Sequence, residues 1–176
     1  MSIVTDSINL QNFTTMEKIG QGSFGKVFKI QNKVTKKIYA AKQLMRDFNS
    51  SQNFLQDLYK EIEILSNVSH PSILHFVGFS KFGLKGERKA VIVTKYAPNG
   101  SLDKILKLGQ GSGIEYWNET KKLCNIFGIA SSMLYLHSND IIHRDLKPAN
   151  ILEDEHLFPL ISDFGLSKII QQNNNC

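Results

Sequence analysis

The chain has 176 residues, with 21 Lys and Arg against 16 Asp and Glu, a net charge of +5 at pH 7. Hydrophobic residues at 41% and charged ones at 21% fit one globular domain and exclude a disordered or fibrous chain. The lysines are spread from Lys18 to Lys168 with no dense basic block or interleaved aromatics, which argues against a nucleic-acid partner. Cys124 and Cys176 are too few for a disulfide framework and lack metal-ligand spacing. Met1 to Asn12 has no basic flank before an apolar run, and no stretch reaches membrane-spanning length. The expectation is an intracellular, cytoplasmic protein with no membrane partner.

In chain order, an N-terminal extension (1–12) precedes strand-like sequence from Phe13 to Tyr39. Within it, Ile19-Gly20-Gln21-Gly22-Ser23-Phe24-Gly25-Lys26-Val27 has the form G-x-G-x-x-G-x-V. Dinucleotide-binding loops share this glycine spacing but open into a helix, whereas Lys26 to Ile30 alternates like a strand. The glycines therefore read as a hairpin lid whose backbone N–H groups can approach phosphates. A further strand, Ile38 to Lys42, ends on a lysine. Ser50 or Ser51 caps a helix running to about Asn67, with Phe54, Leu58, Ile62 and Leu65 on its buried face. Glu61 falls beside that stripe and requires a cation to offset its desolvation. Lys42 is the candidate partner, while Glu63 points to water with Gln56, Lys60 and Asn67.

His70-Pro71 stops this helix, and Ile73 to Phe79 is predicted as a strand. His70 and His75 have no paired ligand pattern and are assigned structural or surface roles. Lys85 to Arg88 is a turn, Ala90 to Thr94 a buried strand, and Lys95 to Gly100 a punctuated connection. A short helix follows from Ser101 to about Leu108, then a polar linker, Gly109 to Gly113. A long helix is predicted from roughly Glu119 to Ser138. It carries two adjacent apolar stripes, Leu123/Phe127/Ala130/Leu134 and Ile126/Ile129/Met133/Leu136, and a helix so widely apolar is expected inside a domain.

Next comes Ile142-His143-Arg144-Asp145-Leu146-Lys147-Pro148-Ala149-Asn150, followed by Asp163-Phe164-Gly165. A carboxylate, an ammonium, a carboxamide and a second carboxylate suit phosphoryl transfer, in which a protein positions a hydroxyl and neutralises phosphate charge. The run resembles the catalytic loop of the protein kinase family, H-R-D-L-x-x-x-N, and Asp163-Phe164-Gly165 resembles its magnesium-binding triplet. Lys147 is similar to the serine/threonine branch, and Pro98 to Leu102 resembles its tyrosine-kinase-like subgroup.

The resemblance implies an α+β, two-lobed fold: a five-stranded antiparallel sheet with one helix in the N-lobe (13–95), a hinge (96–100) and the start of a helical C-lobe (101–170), before a polar tail (171–176). By the same resemblance Asp145 deprotonates the acceptor hydroxyl, Lys147 meets the transferred phosphate, and Asn150 and Asp163 hold Mg²⁺. Lys42, paired with Glu61, meets the α and β phosphates of ATP. Ile19, Gly20, Gly22, Ser23, Phe24, Gly25, Val27, Ala40, Thr94, Lys95, Ala97 and Leu152 form the ATP cavity, Thr94 as gatekeeper and the backbone of Lys95 and Ala97 on the adenine edge. Leu65, Phe76, His143 and Phe164 stack into the column that reports the active state. Two positions depart from the family pattern: Lys95 stands where many members have Glu, and Glu153 where an apolar residue is frequent.

No A-P-E motif follows Gly165, so the activation segment and the helical remainder of the large lobe are expected to be missing. That absence leaves the long helix short of cover, with an apolar patch open to a partner, and leaves Arg144 without a clear one. The leading expectation is an ATP-dependent, Mg²⁺-requiring protein kinase domain acting on Ser or Thr hydroxyls of a protein substrate. The alternative is a nucleotide-binding fragment, weak or inactive in turnover, serving as a docking or decoy module. A dinucleotide-binding enzyme ranks third.

Overall fold

The computed structural model describes residues 7–22, 25–47, 51–108 and 117–170. The chain divides into two compact units, Met1–Asn67 with His75–Tyr96, and Val68–Leu74 with Ala97–Cys176.

The first unit is a five-stranded antiparallel sheet. Its strands are β1 (Phe13–Gln21), β2 (Gly25–Asn32), β3 (Ile38–Leu44), β4 (Phe76–Ser80) and β5 (Val91–Lys95), in the spatial order β1-β2-β3-β5-β4. Strict alternation gives the sheet two different faces. On one, Ile30, Ala41, Val91 and Val93 are fully buried, packed with Ile8, Leu10, Phe13, Phe28 and Leu84. The predicted strand from Ile73 begins later, at Phe76. Ile73 belongs to the second unit, where it bridges Ile161 and leaves the β4 ladder to start after the chain has crossed over.

Helix α1 (Gln52–Asn67) begins where expected: Phe54 N–H donates to Ser51 Oγ at 3.2 Å, the side-chain acceptor a helix N-terminus lacks. Ser50 lies outside the described residues. Leu58, Glu61, Ile62, Ile64 and Leu65 are buried, whereas Gln56, Lys60, Glu63 and Asn67 are exposed. Tyr59 meets Phe79 of β4 edge to face, with ring centroids 6.4 Å apart.

The second unit holds α2 (Leu102–Leu108), α3 (Glu119–Ser138) and two short antiparallel ribbons. β6 (Ile141–Ile142) pairs with β9 (Lys168–Ile169), and β7 (Ile151–Glu153) with β8 (Pro159–Ile161). Helix α2 starts one residue later than predicted, because Ser101 is occupied in a bridge to Leu152 of β7. Asn118 caps α3, its side-chain oxygen accepting from Lys121 N–H.

The position of α3 corrects the expectation of a helix buried on both apolar stripes and agrees with the expected open apolar patch. Its buried residues are Asn125, Gly128, Ser132 and Leu136, while Leu123, Ile126, Phe127 and Leu134 are 64–75% exposed. Gly128 explains the choice of face. A Cβ there would lie 2.6 Å from Pro159 Cγ and 2.8 Å from Ser72 Oγ, so β8 approaches the helix backbone too closely for any side chain at that point. Small and polar residues line this contact, and the large apolar ones are left on the outside. Among the described residues no helix is long and apolar enough to cross a membrane.

Candidate active site

In the first unit, cross-strand register gathers residues far apart in sequence. Gly20 pairs with Val27, Val27 with Lys42, and Ala40 with Thr94. Directly paired residues share a face, so Gly20, Val27, Ala40, Lys42 and Thr94 lie together on the face opposite the Ala41–Val93 core. Ile19 is half-buried on β1, and Lys95 ends β5 with its N–H donating to His75 O at 2.9 Å. At the β1–β2 turn, Gly22 N–H donates to Gly25 O at 2.9 Å. A Cβ on Gly25 would sit 2.5 Å from Gln43 O, so only glycine admits β3 this close. Ser23 and Phe24 lie outside the described residues.

The predicted pairing of Lys42 and Glu61 is present. Lys42 Nζ donates to Glu61 Oε1 at 3.1 Å, with the side chains 24% and 11% exposed. Helix α1 thereby brings a nearly buried carboxylate to an ammonium on the glycine-lid face of the sheet. Opposite charge offsets the cost of taking either group out of water.

In the second unit, His143 and Phe164 pack together beneath the loop that carries Asp145, Lys147 and Asn150. His143 is fully buried and meets the Phe164 ring edge to face, centroids 5.0 Å apart. Its Nδ1 accepts from Asp145 N–H at 3.3 Å, and its Nε2 lies 3.0 Å from Ser162 O. This pair of contacts fixes the tautomer with the proton on Nε2. Burial pushes the imidazole pKa below its usual value, against the pull of the Ser162 carbonyl and the Asp163 and Asp145 carboxylates. A neutral ring is therefore built into the loop, and it orients the backbone of Asp145.

Lys147 Nζ donates to both Asp145 carboxylate oxygens, at 2.9 and 2.8 Å. Asn150 Nδ2 donates to Asp145 Oδ2 and to its carbonyl, each at 2.9 Å. The Lys147 hydrogen bond, with that from Asn150, holds the Asp145 carboxyl below the usual carboxylate range. Asp145 is thus ionised and fixed in position, as a proton acceptor must be.

Asn150 is buried, and its carbonyl accepts from both Ser162 N–H and Ser162 Oγ at 2.9 Å. The pairing of Ile151 with Ile161 carries this contact and sets Asp163 at the same end of the ribbon as Asn150. Asp163 adopts the left-handed conformation, φ 65° and ψ 71°, which is rare outside glycine and clusters at functional positions. The Asn150 side-chain nitrogen is engaged by Asp145, so its ligating atom toward an ion is the carboxamide oxygen, and that of Asp163 is a carboxylate oxygen. Two hard oxygen donors suit an ion that also takes phosphate and water ligands. Among the described residues no group of three or more His, Cys, Asp or Glu forms a self-sufficient metal site.

The expectation that Arg144 lacks a partner is overturned. At φ 64°, its Nε donates to Leu166 O and its Nη2 to Ser167 O, while Ser167 Oγ donates to His143 O at 3.2 Å. Leu152 is half-buried against Leu74, Ala97 and Leu160. Two surface hollows of this unit, one lined by Ile105, Leu108, Lys121 and His156, the other by His70, Cys124, Phe127 and Phe158, contain none of the predicted catalytic or metal-binding residues. Sequence reasoning missed Ser162, Asn125 and Gly128. The one available signal was that Ser162 adjoins Asp163.

The lysine–glutamate pair of the first unit, and the aspartate of the second held by a lysine and an asparagine, are each chemically suited to handling phosphate. The chain belongs to the protein kinase family: the protein kinase domain model matches residues 13–176. It is 31% identical over 172 residues to a probable serine/threonine-protein kinase of Dictyostelium discoideum, covering 98% of this chain and 36% of that protein. It is 38% identical over 175 residues to a G-type lectin S-receptor-like serine/threonine-protein kinase of Arabidopsis thaliana, covering 97% and 19%. With a second Arabidopsis serine/threonine-protein kinase, AtPK1/AtPK6, the identity is 31% over 170 residues, covering 97% and 35%. The chain therefore spans between about a fifth and just over a third of these relatives' lengths.

Proposed function

We propose that this chain transfers the γ-phosphate of ATP to Ser or Thr hydroxyls of a protein substrate. The observation that carries the reading is the ionised, doubly held Asp145, with Lys147 bridging both of its oxygens. In the reaction, Asp145 accepts the proton of the incoming hydroxyl as the new O–P bond forms and the bond to the departing ADP breaks. Lys147 exchanges part of its hydrogen bonding from Asp145 to the transferred phosphoryl oxygens. Lys42, positioned by Glu61, neutralises the α and β phosphates, and the lid backbone around Gly20, Gly22 and Gly25 donates to them. Asn150 and Asp163 hold Mg²⁺, which when bound withdraws charge from the phosphate oxygens. Val27, Ala40, Thr94 and Leu152 contact the adenine, with the Lys95 and Ala97 backbone on its edge. The same reading places the protein in the cytoplasm, where its nucleotide is available.

Incorporation of radiolabelled phosphate from ATP into a generic basic protein tests this, comparing the chain with its Asp145→Asn variant. Incorporation that vanishes in the variant while nucleotide binding persists supports transfer. Equal background from both overturns it. The second reading, nucleotide binding without turnover in a docking module, draws on the exposed Leu123, Phe127 and Leu134 of α3. It predicts binding of ATP with no incorporation in either form.

A further inference from the structure

Glu153, the last residue of β7, has no exposed surface, and its partner Asn125 on α3 is 3% exposed. The two side chains meet through Asn125 Nδ2, 3.4 Å from Glu153 Oε2. The same nitrogen donates to the Lys121 and Leu157 carbonyls, each at 3.1 Å. These three acceptors fix the amide orientation, since turning it over would set Oδ1 against all of them. Two acceptor atoms are then left without a donor, Asn125 Oδ1 and Glu153 Oε1. An ionised carboxylate has no proton to offer and would hold its charge in the interior on one long hydrogen bond, an arrangement of high cost. One added proton removes the charge and supplies the missing donor.

We propose that Glu153 is held in its acid form and that its Oε1–H, donated to Asn125 Oδ1, closes a carboxylic acid–amide pair fastening β7 to α3. Glu153 is in this sense a positioning residue. Its N–H donates to Gly100 O at 2.8 Å and its carbonyl accepts from Asn99 at 3.3 Å, so the pair anchors both Leu152 and the segment entering α2.

The surrounding charges act in the same direction. Burial pushes the Glu153 pKa up to about 7, opposed by the Asn125 hydrogen bond, and the neighbouring Asp154 carboxylate raises it further. From α3, the ammonium of Lys121 is directed to His156 O at 2.7 Å and over the Phe158 ring, and Lys122 pairs with Glu119. From α2, Lys107 pairs with Asp103. The turn after β7 adds Glu155 and His156, both exposed, and β8 opposes Glu153 with uncharged Pro159.

The test is thermal unfolding of the full chain from pH 5 to 8.5, against Glu153→Gln, whose neutral amide mimics the acid. Between pH 5 and 8 the wild-type midpoint should fall by roughly 5–10 °C relative to the variant. Infrared spectra of the wild type should show a protonated carboxyl band near pH 6 that Glu153→Gln lacks. Parallel midpoint curves, or no such band, overturn the proposal. The band keeps the test valid if the variant folds poorly, and its absence would point to a buried water bridging two acceptors of an ionised pair. A second arm rests on the proposed contact of Leu152 with adenine: ATP affinity of the wild type should fall several-fold from pH 6 to 8.5 relative to Glu153→Gln. If stability responds and affinity does not, the acid–amide pair stands and the reading of Leu152 fails.

Discussion

Each unit buries a glutamate, and the two are satisfied in opposite ways. Glu61 of the first unit faces the ammonium of Lys42, whereas Glu153 of the second faces only the amide of Asn125. The first carboxylate is held to its ammonium at 3.1 Å, so opposite charge offsets its loss of water. Burial pushes the second carboxyl toward its neutral form, and the Asn125 hydrogen bond only partly opposes it. Asp145 supplies the third combination, with both a cation and an amide, and its acidity is raised as a result. At Asp145 the Lys147 hydrogen bond outweighs desolvation, whereas at Glu153 desolvation dominates.

Substitutions at these three positions can break that contrast. The largest effect is expected at Asp145, where Asn keeps the shape and removes the proton acceptor. Phosphate transfer should fall by about 10²–10⁴-fold while the thermal midpoint hardly moves, read by single-turnover kinetics beside calorimetry.

At Glu153 the sign follows from the folded state holding the proton more tightly than the unfolded chain. The associated stability is present below the ordinary carboxyl pKa of 4.5 and is lost as pH rises through about 7. Integrated over that interval, the loss is about 3 kcal/mol, since each pKa unit is worth about 1.4 kcal/mol. Denaturant midpoints measured at pH 5 and 8 should converge with those of Glu153→Gln at the lower pH and diverge at the higher one.

For the paired glutamate, Glu61→Ala removes the carboxylate that Lys42 Nζ bonds at 3.1 Å and should cost about 1–3 kcal/mol, discounted because both groups keep some contact with water. Adding Lys42→Met should recover part of that loss, as urea unfolding with an unchanged m-value would report. Ser51→Ala removes the cap that starts the helix carrying Glu61 and should cost about 1 kcal/mol, leaving the Glu153 pH response untouched. A changed response would show the two glutamates to be coupled.

Much of this arrangement was legible in the residues. The glycine spacing, the alternation through Ala40 and Lys42 and the placement of Glu61 beside an apolar stripe follow from local periodicity, while the roles expected of Asp145, Lys147, Asn150 and Asp163 come from the family resemblance of their motifs. Less legible was the choice of face on α3, since both stripes were apolar and the decision fell to Gly128, where contact with Pro159 admits no side chain. Arg144 was misjudged for a related reason. Its partners are the Leu166 and Ser167 carbonyls, and main-chain acceptors have no residue type to betray them.

Sequence alone determined which groups are available and in what local geometry they stand: strands with Lys42, a helix with Glu61, and a loop with Asp145, Lys147 and Asn150. Only tertiary packing decided which polar groups lose water, and in whose company. Desolvation depends on neighbours brought from distant parts of the chain, and so Glu153, marked in the sequence only as an acid at a frequently apolar position, becomes a carboxyl inclined to keep its proton once α3 packs against it.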